Sequence, residues 1–261
     1  MTGIACYTAC VAQSGSELES TFKQAWALLM QNLIIVVPGL VISLGIFIPI
    51  VFMVVAGIGA GVAIAAVAQS ANTAHTYSGL IAIGLVFCAI VFIIAILFVM
   101  VMAVAQTTFI TGMAGGIWER GSTTFTDGWN AFREHGFEVF YAFLLLLVIG
   151  IVAIILAPFT LLLSLAAYLV FFLYVTTFII IGKRSATEAI SESCRLAVRD
   201  FWPTVIIAAV SLGVSFVAAL CGMLFGHALF FAGGLVAMIF PIAGRTYIAL
   251  VIVGHYRKLA L

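Results

Sequence analysis

Few residues of this sequence combine the side-chain types and the spacing that enzymatic chemistry needs. Ser78 and His227 are a candidate nucleophile and base, but each lies in a polar turn that contains no Asp or Glu to orient the imidazole. His75 and His227 lack the further ligands that a metal ion needs. The tetrapeptide Gly182-Lys-Arg-Ser185 resembles the end of a phosphate-binding loop, but Thr177 occupies a position where that motif requires glycine. The five cysteines form no CxxC pair. We therefore predict no catalytic residue, no cofactor, no metal site and no enzymatic activity.

Arg245 is the one residue that the sequence singles out for function. It lies in a run of apolar residues, and no other charge lies between it and Asp200. It precedes Val253 by eight residues, or about 12 Å of helical rise. A charge inside a membrane span is costly and is by default a functional candidate. Two interpretations remain open. Arg245 contacts an anion such as a lipid phosphate, or a carboxylate such as Glu119 or Glu138; otherwise its side chain snorkels to the interface.

The composition shows where these residues must lie. Of 261 residues, 66% are hydrophobic and 7% are charged, with 10 basic and 9 acidic side chains. Soluble domains are about half apolar and about a quarter charged. This composition excludes a soluble enzyme, a disordered chain and a nucleic-acid binder that depends on basic density. We predict an all-α membrane protein with a single polytopic domain, residues 1–261.

The charges divide the chain into apolar stretches. No charged residue lies between Lys23 and Glu119, between Glu138 and Lys183, or between Asp200 and Arg245. A bilayer core takes about 20 helical residues per span. The stretches therefore predict six transmembrane helices, over residues 33–66, 79–105, 139–157, 160–182, 203–222 and 228–252.

The spans come in pairs, so every charge cluster falls on one face of the membrane. Nine of the ten basic residues lie on that face, with Arg245 the exception. Lys and Arg in short loops mark the cytoplasmic side. The sequence therefore predicts a multi-pass protein of the cytoplasmic, or inner, membrane, with both termini in the cytoplasm.

Three short segments resemble one another, at residues 21–26, 124–129 and 185–190. Each has a hydroxyl residue with an acid or amide three positions later, which is typical of a capping box. Thr21, Thr124 and Ser185 are therefore candidate helix caps, with Ser16 as the alternative for the first. An amphipathic helix and a hairpin of two spans follow each start. The predicted repeats cover about 16–118, 122–182 and 184–254.

The first repeat is longer than the others. A helix over 33–66 would be about 51 Å long, which exceeds the hydrocarbon thickness, so it must tilt, kink or project. Pro38 and Pro49 are possible kinks. Three GxxxG pairs, at 57/61, 112/116 and 222/226, favour internal helix packing over a dimer face. Four tryptophans flank the spans as expected for interfacial anchors: Trp26, Trp118, Trp129 and Trp202.

The helix starts and the ending Pro241…Tyr256-Arg-Lys-Leu259 resemble a known family. These are prokaryotic six-helix integral membrane proteins similar to the membrane domain of glycerophosphodiester phosphodiesterase, including the YciC-like proteins. The resemblance covers roughly residues 17–259 and implies a prokaryotic integral membrane protein. The phosphodiesterase chemistry of that group belongs to a separate soluble barrel domain, so the resemblance assigns it to no residue of this sequence.

Two functions remain to be distinguished. The first is a non-catalytic accessory or scaffold subunit in membrane lipid or envelope homeostasis, with membrane lipids as partners. Glycine-rich helix faces would also allow contacts with other membrane subunits or with a second copy of the chain. No nucleic-acid partner is expected. The alternative is a small-solute or lipid transporter or channel, which the repeats and kinked helices favour. The scarcity of polar residues within the spans favours the first.

Overall fold

A computed structural model describes the backbone of residues 2–46, 51, 54, 55, 57, 59, 61, 74–160, 162–228 and 232–260. Side chains are described for residues 16–46, the same six single positions, 86, 89–160, 162–221, 223 and 239–259. Within this part of the chain, all the regular secondary structure is helical. The second half of the first predicted span and the turn before residue 74 lie outside the described residues. So do the side chains of His75, Ser78 and His227.

The helices follow the apolar stretches of the sequence. They are α1 (Thr2–Gln31), a 3-10 turn (Leu33–Ile35), α2 (36–46), α3 (Ala74–Arg120), α4 (Phe125–Leu156), α5 (Leu163–Phe171), α6 (Val175–Ile180), α7 (Ala186–Arg199), α8 (Phe201–Ala228) and α9 (Ala232–Ala260).

Five described stretches are long and apolar enough to cross a membrane: Ala89–Arg120, Phe125–Leu156, Leu163–Ile180, Phe201–Cys221 and Ile239–Leu259. A sixth candidate is the pair Ser16–Gln31 and Leu33–Ile46, which bends by 86°. The chain is therefore an all-α membrane protein, with five or six such helices among its described residues.

Asn32 lies at the bend between α1 and α2. Its backbone leaves the helical conformation at φ −127° and ψ 53°. Its side-chain amide donates hydrogen bonds to the Leu28 carbonyl at 3.1 Å and to the Gly121 carbonyl at 3.2 Å. Gly121 has a φ of +75°, which glycine adopts without strain. The Asn32 side-chain amide thus stabilises the bend and links the end of α1 to the residue that follows α3.

The predicted hairpin at Pro158 is confirmed, since a turn lies between α4 and α5. Two other boundaries differ from the prediction. The amphipathic start at Phe125 and the following span form one continuous helix, α4. The span over 160–182 is interrupted between α5 and α6. A change from polar to apolar residues does not by itself interrupt a helical backbone, whose hydrogen bonds are independent of side-chain polarity.

The chain divides into two compact units. One contains Val41–Ala103 and the other contains Met1–Leu40 with Val104–Leu261. The smaller unit exposes many large apolar side chains along α3, including Val86, Ile90 and Phe92, as expected for a surface that contacts lipid.

The core of the larger unit lies around α9. Met113 and Ile117 of α3 pack there with Leu250 and Val251 of α9. A second cluster joins α4, α6 and α7 and is built largely from small and β-branched side chains: Ala131, Val139, Ala142, Val175, Ile179, Ala186 and Ala189. Small residues at such crossings allow close helix approach.

The glycine pairs differ in their surroundings. An added Cβ on Gly112 would collide with Ala131 of α4, so this pair is packed internally as predicted. A Cβ on Gly57 or Gly61 would meet no atom within 4 Å, so internal packing does not account for that pair. The surroundings of Gly222 and Gly226 lie outside the described residues.

Thr124 and Ser185 are the N-cap residues of α4 and α7. The Asp127 carboxylate accepts the Thr124 backbone N–H at 2.8 Å, and the Glu188 carboxylate accepts that of Ser185 at 3.2 Å. The prediction for the first repeat is wrong. Thr21 lies inside α1, and so does the alternative, Ser16. Because the helix continues on both sides, Thr21 has no free helix start to cap; its buried hydroxyl donates to the Glu17 carbonyl at 2.9 Å.

Candidate functional site

Arg245 lies near the middle of α9, one turn after Pro241. Its side chain is exposed, and it has no ion pair or hydrogen bond to any described residue. The next residue, Thr246, is fully buried, and its hydroxyl donates to the Ile242 carbonyl at 2.8 Å. Arg245 therefore points away from the packed side of α9.

The two carboxylates considered as intramolecular partners of Arg245 are engaged elsewhere. Glu119 forms an ion pair with Arg257. Glu138 accepts the backbone N–H of Ala186 at 2.9 Å. An anion that neutralises Arg245 would have to come from the lipid, from another protein, or from a residue outside the described part of the chain.

The C-terminal part of α9 contacts α1, α3 and the junction between α7 and α8 through polar side chains. His255 lies 2.7 Å from the Asp200 carboxylate before α8, and Arg257 pairs with Glu119 of α3. The Lys258 ammonium donates to the Ser20 hydroxyl of α1 at 2.9 Å. We call His255, Arg257 and Lys258 the α9 clamp. Arg245 precedes His255 by ten residues, about 15 Å along the helix.

A group of polar residues is buried beside His255. The Tyr174 ring lies 6.0 Å from the His255 ring, and Tyr174 is fully buried. The Ser193 hydroxyl donates to the Phe171 carbonyl at 2.7 Å and accepts the Tyr174 backbone N–H at 3.3 Å. Ser193 thus satisfies backbone groups that the break between α5 and α6 leaves free, which would otherwise be costly to bury.

Asp200 and Thr204 belong to the same group. The Thr204 hydroxyl donates to the Asp200 carbonyl at 2.7 Å and stabilises the first turn of α8. Sequence reasoning missed the Tyr174, Asp200 and His255 cluster. An available signal was Asp200 three residues before Pro203, because an acid followed by proline marks a helix start. The sequence holds no comparable signal for the contact with His255.

Three of the four tryptophans have exposed rings, and the fourth does not act as an anchor. Trp26, Trp129 and Trp202 are each just over half exposed. Trp118 is half buried, and its ring N–H donates to the Leu250 carbonyl at 2.9 Å. Its ring lies directly against Gly254, where any side chain would collide with it. Trp118 therefore packs α3 on α9, which corrects its predicted role as an interfacial anchor.

Metal binding finds no support in the described side chains, where no three His, Cys, Asp or Glu residues lie close enough together to hold an ion. Two clefts flank Tyr256 near the α9 clamp. One, of about 490 Å³, is bordered by Trp118 and Arg257. The other, of about 670 Å³, is bordered by Arg195 and Arg199 of α7.

Comparison of the chain with protein-family models, curated proteins and solved structures finds no match. The family resemblance therefore stays a prediction, and any function has to follow from the residues of this chain.

Proposed function

We propose that the protein is a non-catalytic accessory or scaffold subunit of the cytoplasmic membrane that acts in lipid or envelope homeostasis. The observation that carries this proposal is the exposed Arg245, which has no partner among the described residues. A guanidinium in a span requires a counter-charge, because an unpaired cation in hydrocarbon is costly. An exposed arginine obtains that counter-charge from a lipid phosphate or from a carboxylate of a neighbouring subunit.

The exposed position of Arg245 argues against a transporter. The breaks in the helices still favour one. Transport sites usually lie between helices near the middle of the bilayer, where broken helices present backbone groups. Two features of that kind exist: the 86° bend at Asn32 and the break between α5 and α6. A transport role for Arg245 would require it to face an internal path, whereas its exposed side chain lies opposite the packed side of α9.

The proposal is tested by purifying the protein with its native lipids and subunits. We expect the wild type to retain an anionic lipid or a subunit that Arg245→Gln loses and Arg245→Lys keeps, because only the charge is required. Lys23→Gln is the control: its exposed ammonium lies 2.6 Å from Glu19, and its loss should leave the preparation unchanged.

Two outcomes would contradict the proposal. Identical lipid and protein content in wild type and Arg245→Gln would remove its basis. A solute flux in proteoliposomes that Arg245→Gln abolishes would establish the transporter instead.

The proposed orientation places both termini and α7 in the cytoplasm. It is tested with a membrane-impermeant maleimide in a chain whose other cysteines are replaced by serine. A cysteine in place of His227 should react in intact cells, whereas Cys194 of α7 should react only after permeabilisation. The opposite pattern would reverse the topology.

A further inference from the structure

The cleft beside α7 has a charged rim and an apolar wall. Its rim includes Arg195, Arg199 and Glu192, and its wall includes Phe178 and Leu259. Its volume, about 670 Å³, falls within the usual range for small-molecule sites, roughly 300–1,000 Å³. The residues come from three helices, α6, α7 and α9, so the cleft depends on the assembled bundle.

The rim carries a free positive charge. The Arg195 guanidinium lies 3.3 Å from the Glu192 carboxylate, so this exposed pair is neutral as a whole. Arg199 is exposed and has no ion-pair or hydrogen-bond partner among the described residues. Guanidinium groups bind phosphate through two parallel hydrogen bonds, which makes Arg199 a suitable phosphate contact.

The wall is suited to an apolar chain. The Tyr256 ring packs edge-on against Phe178 with centroids 4.9 Å apart, and both border the cleft. Leu196 and Val198 of α7 also border the cleft; Leu196 is buried, and Val198, which is 67% exposed, adds aliphatic surface. A free inorganic anion would leave this surface uncovered, whereas an amphiphile would cover it.

We propose that this cleft binds an anionic phospholipid, with Arg199 contacting the phosphate and the Phe178 side receiving the start of an acyl chain. The charge and the apolar wall together select this ligand class. The inference relies on the proposed function only for the orientation that places α7 beside the cytoplasmic leaflet. That leaflet carries anionic lipids within reach of cationic side chains.

Cys194 borders the cleft and supplies a direct readout of its occupancy. Partial burial raises the pKa of its thiol, so labelling is best followed at mildly alkaline pH. The test uses full-length protein with its other four cysteines replaced by serine. It compares nanodiscs of dioleoylphosphatidylcholine alone with nanodiscs that also contain dioleoylphosphatidylglycerol.

We expect the anionic lipid to slow maleimide labelling of Cys194 about tenfold when about nine-tenths of the sites are occupied, because only the free fraction reacts. Arg199→Gln should remove this protection. Arg245→Gln should retain it, so failure of this proposal is distinguishable from failure of the proposed function.

A matched control separates binding from surface charge. An anionic bilayer lowers the local pH, which reduces the thiolate fraction and so slows the labelling of every thiol near it. Ser191→Cys combined with Cys194→Ser places the thiol on the same helix at an exposed position that does not border the cleft. Its labelling should slow far less than that of Cys194.

Three results would overturn the proposal. The first is equal slowing of maleimide labelling at Cys194 and at the residue-191 thiol. The second is protection that Arg199→Gln retains. The third is protection of Cys194 by inorganic phosphate alone that equals protection by the lipid. The last result would define a plain anion site rather than a lipid site.

Discussion

Replacing Gly254 by alanine tests the packing of α3 on α9. An added Cβ would lie 2.6 Å from Cε2 and 2.8 Å from Cη2 of Trp118, and closer still to Cζ2. Carbon atoms pack at about 3.5–4.0 Å, so the ring would have to move by about 1 Å or more. The ring cannot move freely, because its N–H donates to the Leu250 carbonyl at 2.9 Å.

The expected cost follows from three contributions. Overpacking costs about 1–3 kcal/mol, and loss of the tryptophan hydrogen bond costs about 1 kcal/mol. Alanine recovers about 1 kcal/mol of helix propensity relative to glycine. The net destabilisation of Gly254→Ala is therefore about 1–3 kcal/mol, which lowers the midpoint of thermal unfolding by about 2–10 °C in detergent.

Gly213→Ala is the matched control. Gly213 also lies within an apolar helix, but an added Cβ there meets no atom within 4 Å. This substitution should leave the midpoint unchanged or raise it slightly. Combining Gly254→Ala with Trp118→Leu should cost less than the sum of the two single changes, since the smaller side chain leaves room for the methyl group. Equal stability of Gly254→Ala and Gly213→Ala would refute the packing argument.

Three further predictions concern the cluster near the α9 clamp and the start of α7. Asp200→Ala should destabilise the fold by about 1–3 kcal/mol because it leaves the buried His255 without its partner at 2.7 Å, as measured by thermal unfolding. Tyr174→Phe should be neutral or stabilising in the same assay, since the buried hydroxyl it removes has no hydrogen-bond partner among the described residues; a loss as large as that of Asp200→Ala would contradict this. The Ser185 backbone N–H holds the pKa of Glu188 below its ordinary value of 4.5, so its stabilising contribution is complete above that value and is lost as the pH falls through the folded pKa. Glu188→Gln should therefore remove part of the acid sensitivity of unfolding below about pH 5, and an unchanged pH profile would show that the cap contributes nothing.

Local patterns in the sequence predicted local structure well. Thr124 and Ser185 each precede an acid by three residues, and each caps a helix. Thr21 matches the same pattern but lies inside α1, because the residues before it continue the helix rather than interrupt it. A capping box describes how a helix start is satisfied; it does not by itself create one. The residues that precede the motif decide whether it caps a helix start or lies inside a helix.

Contacts between residues far apart in the sequence could not be predicted from it. Asp200 and His255 are 55 positions apart, and Ser20 and Lys258 are 238 apart. The positions of the charged residues predicted that Asp200 and Lys258 lie on one face of the membrane, but a shared face allows many pairings. The pairing depends on which helices neighbour α9 and on their register, both of which are set by packing. Trp118 illustrates this, since its contact with α9 depends on the absence of a side chain at Gly254.

The same reasoning explains why Arg245 remains unpaired among the described residues while the other basic residues of α9 are engaged. Arg257 and Lys258 lie at the end of α9, where the end of α3 supplies Glu119 and α1 supplies Ser20. Arg245 lies about three turns away, and no described acidic side chain lies within ion-pair distance of it. Its charge therefore has no structural role within the described bundle that would compensate for its desolvation. Under the proposed function, a lipid phosphate or a carboxylate of a neighbouring subunit neutralises this charge.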